Sequence, residues 1–136
     1  AEAGGGRIVN VASSSGKRPS RRLDASYSVT KAAQLSLSRL FADQFSGKGV
    51  LVNAVAPGPI ENEAWVGADG IAEQLAERTG KTVDEVLEST RAGLPAGRMG
   101  TDDEAAAVVV FLCSALASYV TGAAWSVDGG SVPIIL

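Results

Sequence analysis

The chain has 136 residues, 46% hydrophobic and 20% charged, which suits one globular domain with a real core and excludes a disordered segment. Its formal charge of −3 argues against nucleic acid or an anionic membrane as partner, and a single cysteine, Cys113, excludes an internal disulfide and suits a reducing, cytoplasmic compartment. With no histidine, a Ser-His-Asp hydrolase and the common zinc sites are excluded, so no metal is expected and acid–base work falls to tyrosine, lysine or carboxylates.

Arg7 to Ala12 follows three glycines as a short, mostly apolar, β-branched run, the pattern of a buried strand. A polar loop is expected from Ser13 to Ala25. From Ser26 to about Phe45 the spacing is helical, with Val29, Ala32, Ala33, Leu37, Leu40 and Phe41 in an apolar stripe, and SGKG (46–49) ends it. Val50 to Val55 reads as a second buried strand, stopped by Ala56-Pro57-Gly58-Pro59. The stretch from Ile60 to about Leu94 carries eight Asp or Glu against three Lys or Arg between Glu61 and Arg91, and reads as two short helices broken at RTGKT, a lid or binding segment.

Thr101-Asp102-Asp103-Glu104 is a capping box opening a last helix to about Ala115, apolar nearly all round and so expected to be buried, with Cys113 a structural residue inside it. The longest apolar run, Ala105 to Cys113, is too short to span a bilayer, and the opening AEAGGG has neither the basic nor the apolar stretch of an export signal. Ala123 to Val127 is a third strand before Asp128-Gly129-Gly130. The order β-α-β-lid-α-β with continuous apolar strands predicts an α/β fold with a parallel sheet, whose ligands sit at the carboxyl ends of the strands.

Tyr27 and Lys31 stand four residues apart on the first helix, a spacing that puts phenol and ammonium on one face. A free phenol titrates near ~10 and is a poor base at neutral pH, but an ammonium one turn away favours the phenolate. The pair alone is a weak motif; Ser13 behind one strand and NAVAPGPI (53–60) behind the next give it context. Lys17, Arg18, Arg21 and Arg22 crowd the intervening loop, where a solvated loop is favoured over a dock for an anionic substrate or carrier protein.

Five segments in register, GGGRIVNVASSSG, YSVTKAA, GVLVNAVAPGPI, PAGRMGTDDEAAAVVVFLCS and ASYVTGAAWSVDGG, resemble the classical short-chain dehydrogenases/reductases, and most of all their β-ketoacyl-carrier-protein reductase-like members. The resemblance implies the C-terminal half of a doubly wound, Rossmann-type sheet: residues 1–136 as one partial domain with a lid at about 60–94. It implies Tyr27 as general acid or base, Lys31 as partner of the phenol and of the nicotinamide ribose, and Ser13 as hydrogen-bond donor to the substrate oxygen, with Ser15 the runner-up. Pro57, Gly58 and Ile60 resemble the segment beside the nicotinamide, with Asn62 where the family usually has threonine and still able to donate. The implied cofactor is NAD or NADP, NADP slightly favoured; the implied substrate is a small carbonyl or alcohol, including a carrier-bound acyl group.

The family's usual glycine-rich turn for the pyrophosphate is missing, since AGGGR precedes a strand instead of following one. A fragment, a processed product or part of a longer chain is therefore expected. Two alternatives stand beside the oxidoreductase: a non-catalytic fragment or assembly module, and a same-fold epimerase or dehydratase. The helix from Tyr27 to Phe45 and residues near Val127 to Leu136 are expected in subunit contacts of a homotetramer or homodimer, with the Arg7–Ala12 edge covered by protein.

Overall fold

The computed structural model describes residues 4–21 and 24–134. β1 (Gly6–Val11), β2 (Val50–Pro57) and β3 (Ala124–Val127) form a parallel sheet in the order β1-β2-β3. Register is set by Val9 opposite Asn53 and by Val55 opposite Trp125. Because all three strands run the same way, Ser13, Gly58 and Asp128 follow their ends on one rim. The loop expected between Ser13 and Ala25 contains a one-turn helix, α1 (Ser14–Lys17), capped by Ser13. It was not legible because SSGK has no apolar periodicity; a capping hydroxyl and packing against its neighbour make it.

α2 (Ala25–Phe45) starts at Asp24, whose carboxylate accepts from Ser26 N at 2.7 Å. It lies on one face of the sheet with its small polar side inward: Ser28, Ser38 and Ala42 are buried, and Asn10 Nδ2 donates to Ser38 Oγ at 2.8 Å. Its large apolar residues point outward, Val29 being 69%, Leu40 50% and Leu37 45% exposed. Within this chain the stripe is therefore the outer face, because small side chains let the helix axis approach the sheet while Leu and Val at that depth would not fit.

The excursion after β2 holds three helices where two were expected: α3 (Glu63–Val66), α4 (Ile71–Thr79) and α5 (Val83–Ala92). The predicted break at RTGKT lies between α4 and α5, with Gly80 in the left-handed region and Thr82–Glu85 forming a capping box. These helices carry their own core of Ala72, Leu75, Ala76, Val86, Leu87, Leu94 and Met99, with Trp65 and Ile71 packed against it. Arg91 Nη2 donates to Glu61 Oε1 at 2.7 Å and closes the unit.

α6 (Asp102–Cys113) opens with the expected Thr101–Glu104 capping box and packs on the other sheet face. There Val55, Leu112 and Ala117 form a core with Val9, Val108, Val109, Phe111, Trp125 and Val127. Its expected burial on all sides is not observed: Leu112 is the buried residue of the helix, and Val110 and Cys113 are exposed. A sheet covers one side of a helix, and none of the described residues covers the exposed side that carries Val110. β1 is a sheet edge, as the Arg7–Ala12 strand was expected to be within this chain, and Ile8 and Val11 are exposed on it. Among the described residues no helix is long and apolar enough to cross a membrane.

Candidate active site

The serine turn follows β1 directly. Ser13 and Ser15 are both buried, and the Ser13 Oγ accepts from Ser15 N at 3.1 Å. A hydroxyl that accepts there keeps its proton to donate elsewhere. α1 seats against α2 at Gly16, where a Cβ would stand 2.7 Å from the Lys31 carbonyl carbon. Only glycine permits that approach, and it brings the serine turn against the turn of α2 that carries Lys31.

Tyr27 lies in the first turn of α2 and is 41% exposed, so its phenol is accessible and not a core filler. Lys31 shares its face: Nζ is 5.7 Å from the centre of the Tyr27 ring. The ammonium is held by the Val11 carbonyl at 3.1 Å and by Gln34 Oε1 at 3.3 Å. Gln34 escaped sequence reasoning, although its position three residues after Lys31 on the helix was a usable signal.

On the same rim, Gly58 N donates to Val127 O at 2.9 Å, and a Cβ on Gly58 would stand 2.7 Å from Asp128 Cα. Ile60 is buried and bridges to Gly100, through Gly100 N to Pro59 O at 3.0 Å and Glu61 N to Gly100 O at 2.9 Å. The Ile60 carbonyl accepts from Asn62 N at 3.0 Å; none of these bonds takes the Ile60 N–H. Asn62 Nδ2 donates to Asp102 Oδ1 at 2.8 Å, while Asn62 Oδ1 is buried without a partner. The side chain thus spends one of its two amide hydrogens on Asp102. A carboxylate only accepts, so the amide nitrogen must face Asp102 and the inner atom is an acceptor.

The solvated-loop reading is corrected for Lys17, while Arg18 is exposed as that reading expects. Lys17 Nζ donates to Ala124 O at 2.6 Å and Ser126 Oγ at 2.9 Å, and Arg18 Nη1 to Ser131 O at 3.3 Å. Burial lowers the Lys17 pKa from the ordinary lysine value, and the Asp128 charge acts in the opposite direction. Arg21 is exposed, and Arg22 lies outside the described residues. Among the described residues no group of three or more Cys, Asp or Glu is placed to hold a metal ion.

The family model described as enoyl-(acyl carrier protein) reductase matches residues 1–132. The chain belongs to the short-chain dehydrogenase/reductase family. It is 34% identical to a sorbitol dehydrogenase of Cereibacter sphaeroides over 93% of this chain and 48% of that protein. It is 38% identical to the 3-oxoacyl-(acyl-carrier-protein) reductase FabG of Aquifex aeolicus (strain VF5), over 92% of this chain and 44% of that protein. Among solved structures, an actinorhodin polyketide ketoreductase crystallised with NADPH superposes with a TM-score of 0.89 at 31% identity, covering 98% of this chain and 49% of that one. The chain thus spans about half the length of these short-chain dehydrogenases/reductases. Its three parallel strands, with helices on both faces, form a Rossmann-type sheet that superposes within about half of that ketoreductase chain.

Proposed function

We propose that the protein carrying this chain is an NAD(P)-dependent oxidoreductase that interconverts a small carbonyl compound and its alcohol, with Ser13, Tyr27 and Lys31 as the reacting groups. The observation that carries the reading is the Lys31 ammonium, fixed at the end of β1 and facing the accessible Tyr27 ring.

In the reducing direction the Tyr27 phenol gives its proton to the carbonyl oxygen; in the oxidising direction the phenolate takes the proton from the alcohol. The Lys31 ammonium stabilises that phenolate, an attraction of up to ~4 kcal/mol at about 4 Å and an effective dielectric near 20. Ser13 donates to the same substrate oxygen, where negative charge builds during the step. The nicotinamide, when bound, supplies or receives the hydride at the substrate carbon.

The residues present suit the nicotinamide end of such a cofactor. Lys31 offers a cation for the ribose hydroxyls, and Pro57, Gly58 and Ile60, on the same rim, would lie beside the nicotinamide. The buried, unpartnered Asn62 Oδ1 is an acceptor suited to the carboxamide amino group. NADP is favoured over NAD, since the ketoreductase above was crystallised with NADPH. The helical unit from 60 to 94 works as a lid over the rim, and the enzyme acts in the cytoplasm. The outward Val29, Leu37 and Leu40 support a homodimer or homotetramer with α2 in the contact.

The test is NADPH oxidation by the purified protein with a panel of ketones and β-ketoacyl thioesters. Turnover abolished by Tyr27→Phe supports the reading; no turnover with any carbonyl, or turnover indifferent to that change, overturns it. A product altered in configuration or dehydrated without net cofactor oxidation would favour a same-fold epimerase or dehydratase. The assembly-module reading draws on one observation: among the described residues no glycine-rich turn follows a strand and opens a helix. It requires that the protein fail to bind a dinucleotide.

A further inference from the structure

We propose that Lys17 is a positioning residue for the Ser13 hydroxyl, fastening the one-turn helix α1 to β3; the inference rests on the reading of Ser13, Tyr27 and Lys31 as the reacting site. Ser13 caps α1 and Lys17 is its last residue, so the two bound the same turn. Inside it Gly16 N donates to Ser13 O at 3.0 Å and Arg18 N to Ser14 O at 2.9 Å, which makes the turn move as a unit. One turn of helix cannot hold its own orientation through burial, and only Ser15 within it is buried. The Gly16 contact fixes how near α1 lies to α2, and α1 also rests against β2; neither of these contacts reaches the far strand β3.

Lys17 supplies that link. Its ammonium donates to Ala124 O and Ser126 Oγ, on a strand more than 100 residues further along the chain. Arg18 adds a third bond, to Ser131 O just beyond β3. Hydrogen bonds from a charged donor are roughly twice as strong as neutral ones. The serine turn is thus held by packing against α2 and β2 and by charge to β3. Donation to a developing oxyanion is sensitive to displacement, and a shift of about 1 Å can cost on the order of 100-fold in rate. Cofactor binding should not share that sensitivity, since its candidate partners lie on α2 and in the segment from Pro57 to Asn62.

The experiment compares Lys17→Met, Lys17→Arg and Ser126→Ala with the unsubstituted protein, with Tyr27→Phe alongside. Lys17→Met is expected to lower kcat by about 10-fold or more while cofactor Kd stays within about twofold. Lys17→Arg, which keeps a cationic donor of similar reach, is expected to recover most of the loss. Ser126→Ala removes one of the two acceptors and gives a smaller loss of the same kind; it carries the comparison if Lys17→Met does not fold. An unchanged kcat in Lys17→Met overturns the proposal. So does an arginine variant as slow as the methionine one, or a kcat loss matched by equal loss of cofactor affinity. Ordinary kcat in Tyr27→Phe defeats the site reading itself, whereas an inactive Tyr27→Phe beside an unaffected Lys17→Met defeats only the positioning role.

Discussion

Lys31 Nζ sits 5.7 Å from the centre of the Tyr27 ring and donates to the Val11 carbonyl at 3.1 Å, so the end of β1 orients the cation that faces the phenol. Strand and helix are linked at this point by a single charged side chain. Replacing Tyr27 by Phe keeps the ring but removes the proton, and kcat is expected to fall about 10²–10⁴-fold with cofactor affinity nearly intact. Lys31→Ala is expected to weaken both, because that ammonium serves the phenol and the ribose. Steady-state rates and cofactor titration on the two variants check this, and equal effects on affinity would contradict the division of labour.

Gly16→Ala tests the contact between α1 and α2. The added methyl would stand 2.7 Å from the Lys31 carbonyl carbon and 2.8 Å from its oxygen, and both are backbone atoms that cannot turn aside. The expected cost is about 1–3 kcal/mol, the usual range for overpacking, together with loss of turnover as the serine turn is pushed from the Tyr27–Lys31 face. Thermal melts and rates measure it. A variant as stable and as active as the unsubstituted protein would mean that α1 sits further from α2 than the structure has it.

The start of α6 should weaken in acid. Hydrogen bonds from Arg98 and from Thr101 N hold the Glu104 carboxyl down to about 2, against an ordinary 4.5. Its folded-state pKa lies below the unfolded one, so its contribution is complete above the unfolded value and is lost as pH falls from about 4.5 to about 2. Melting temperature followed from neutral pH to pH 2 is expected to drop less across that window in Glu104→Gln than in the unsubstituted protein. Parallel curves would count against the linkage. Added salt should shrink the difference, because the Arg98–Glu104 pair is solvent-exposed.

Light scattering addresses assembly. Glu at Val29 and at Leu40 puts charge on the outward apolar face of α2 without touching Ser28, Ser38 or Ala42, which face the sheet. The expected result is a shift from a dimer or tetramer toward smaller species, with the fold retained by circular dichroism. A protein that is monomeric before any substitution would remove α2 from the proposed contact.

Much of the fold was legible in the primary sequence because it depends on short-range chemistry. Short apolar runs marked β1 and β2, Asp128-Gly129-Gly130 marked the end of β3, Thr101 with Glu104 marked the start of α6, and Pro57-Gly58-Pro59 marked where β2 must end. The four-residue spacing of Tyr27 and Lys31 placed both on one helix face for the same reason: helical period is local.

What local chemistry could not decide was what each face meets. The apolar stripe of α2 reads as a core face, yet inside this chain the sheet receives Ser38 and Ala42, and Leu40 points away. α6 reads as buried all round, but one sheet can cover only one side of it. Lys17 has the composition of a loop residue and becomes a tether only because β3, contributed by the far end of the chain, passes within reach of its ammonium. Asn62 presents a buried acceptor oxygen only because its amide nitrogen is turned to the Asp102 carboxylate. Each of these outcomes depends on contacts between residues 28 to 109 positions apart, and period, propensity and capping carry no information about such pairs.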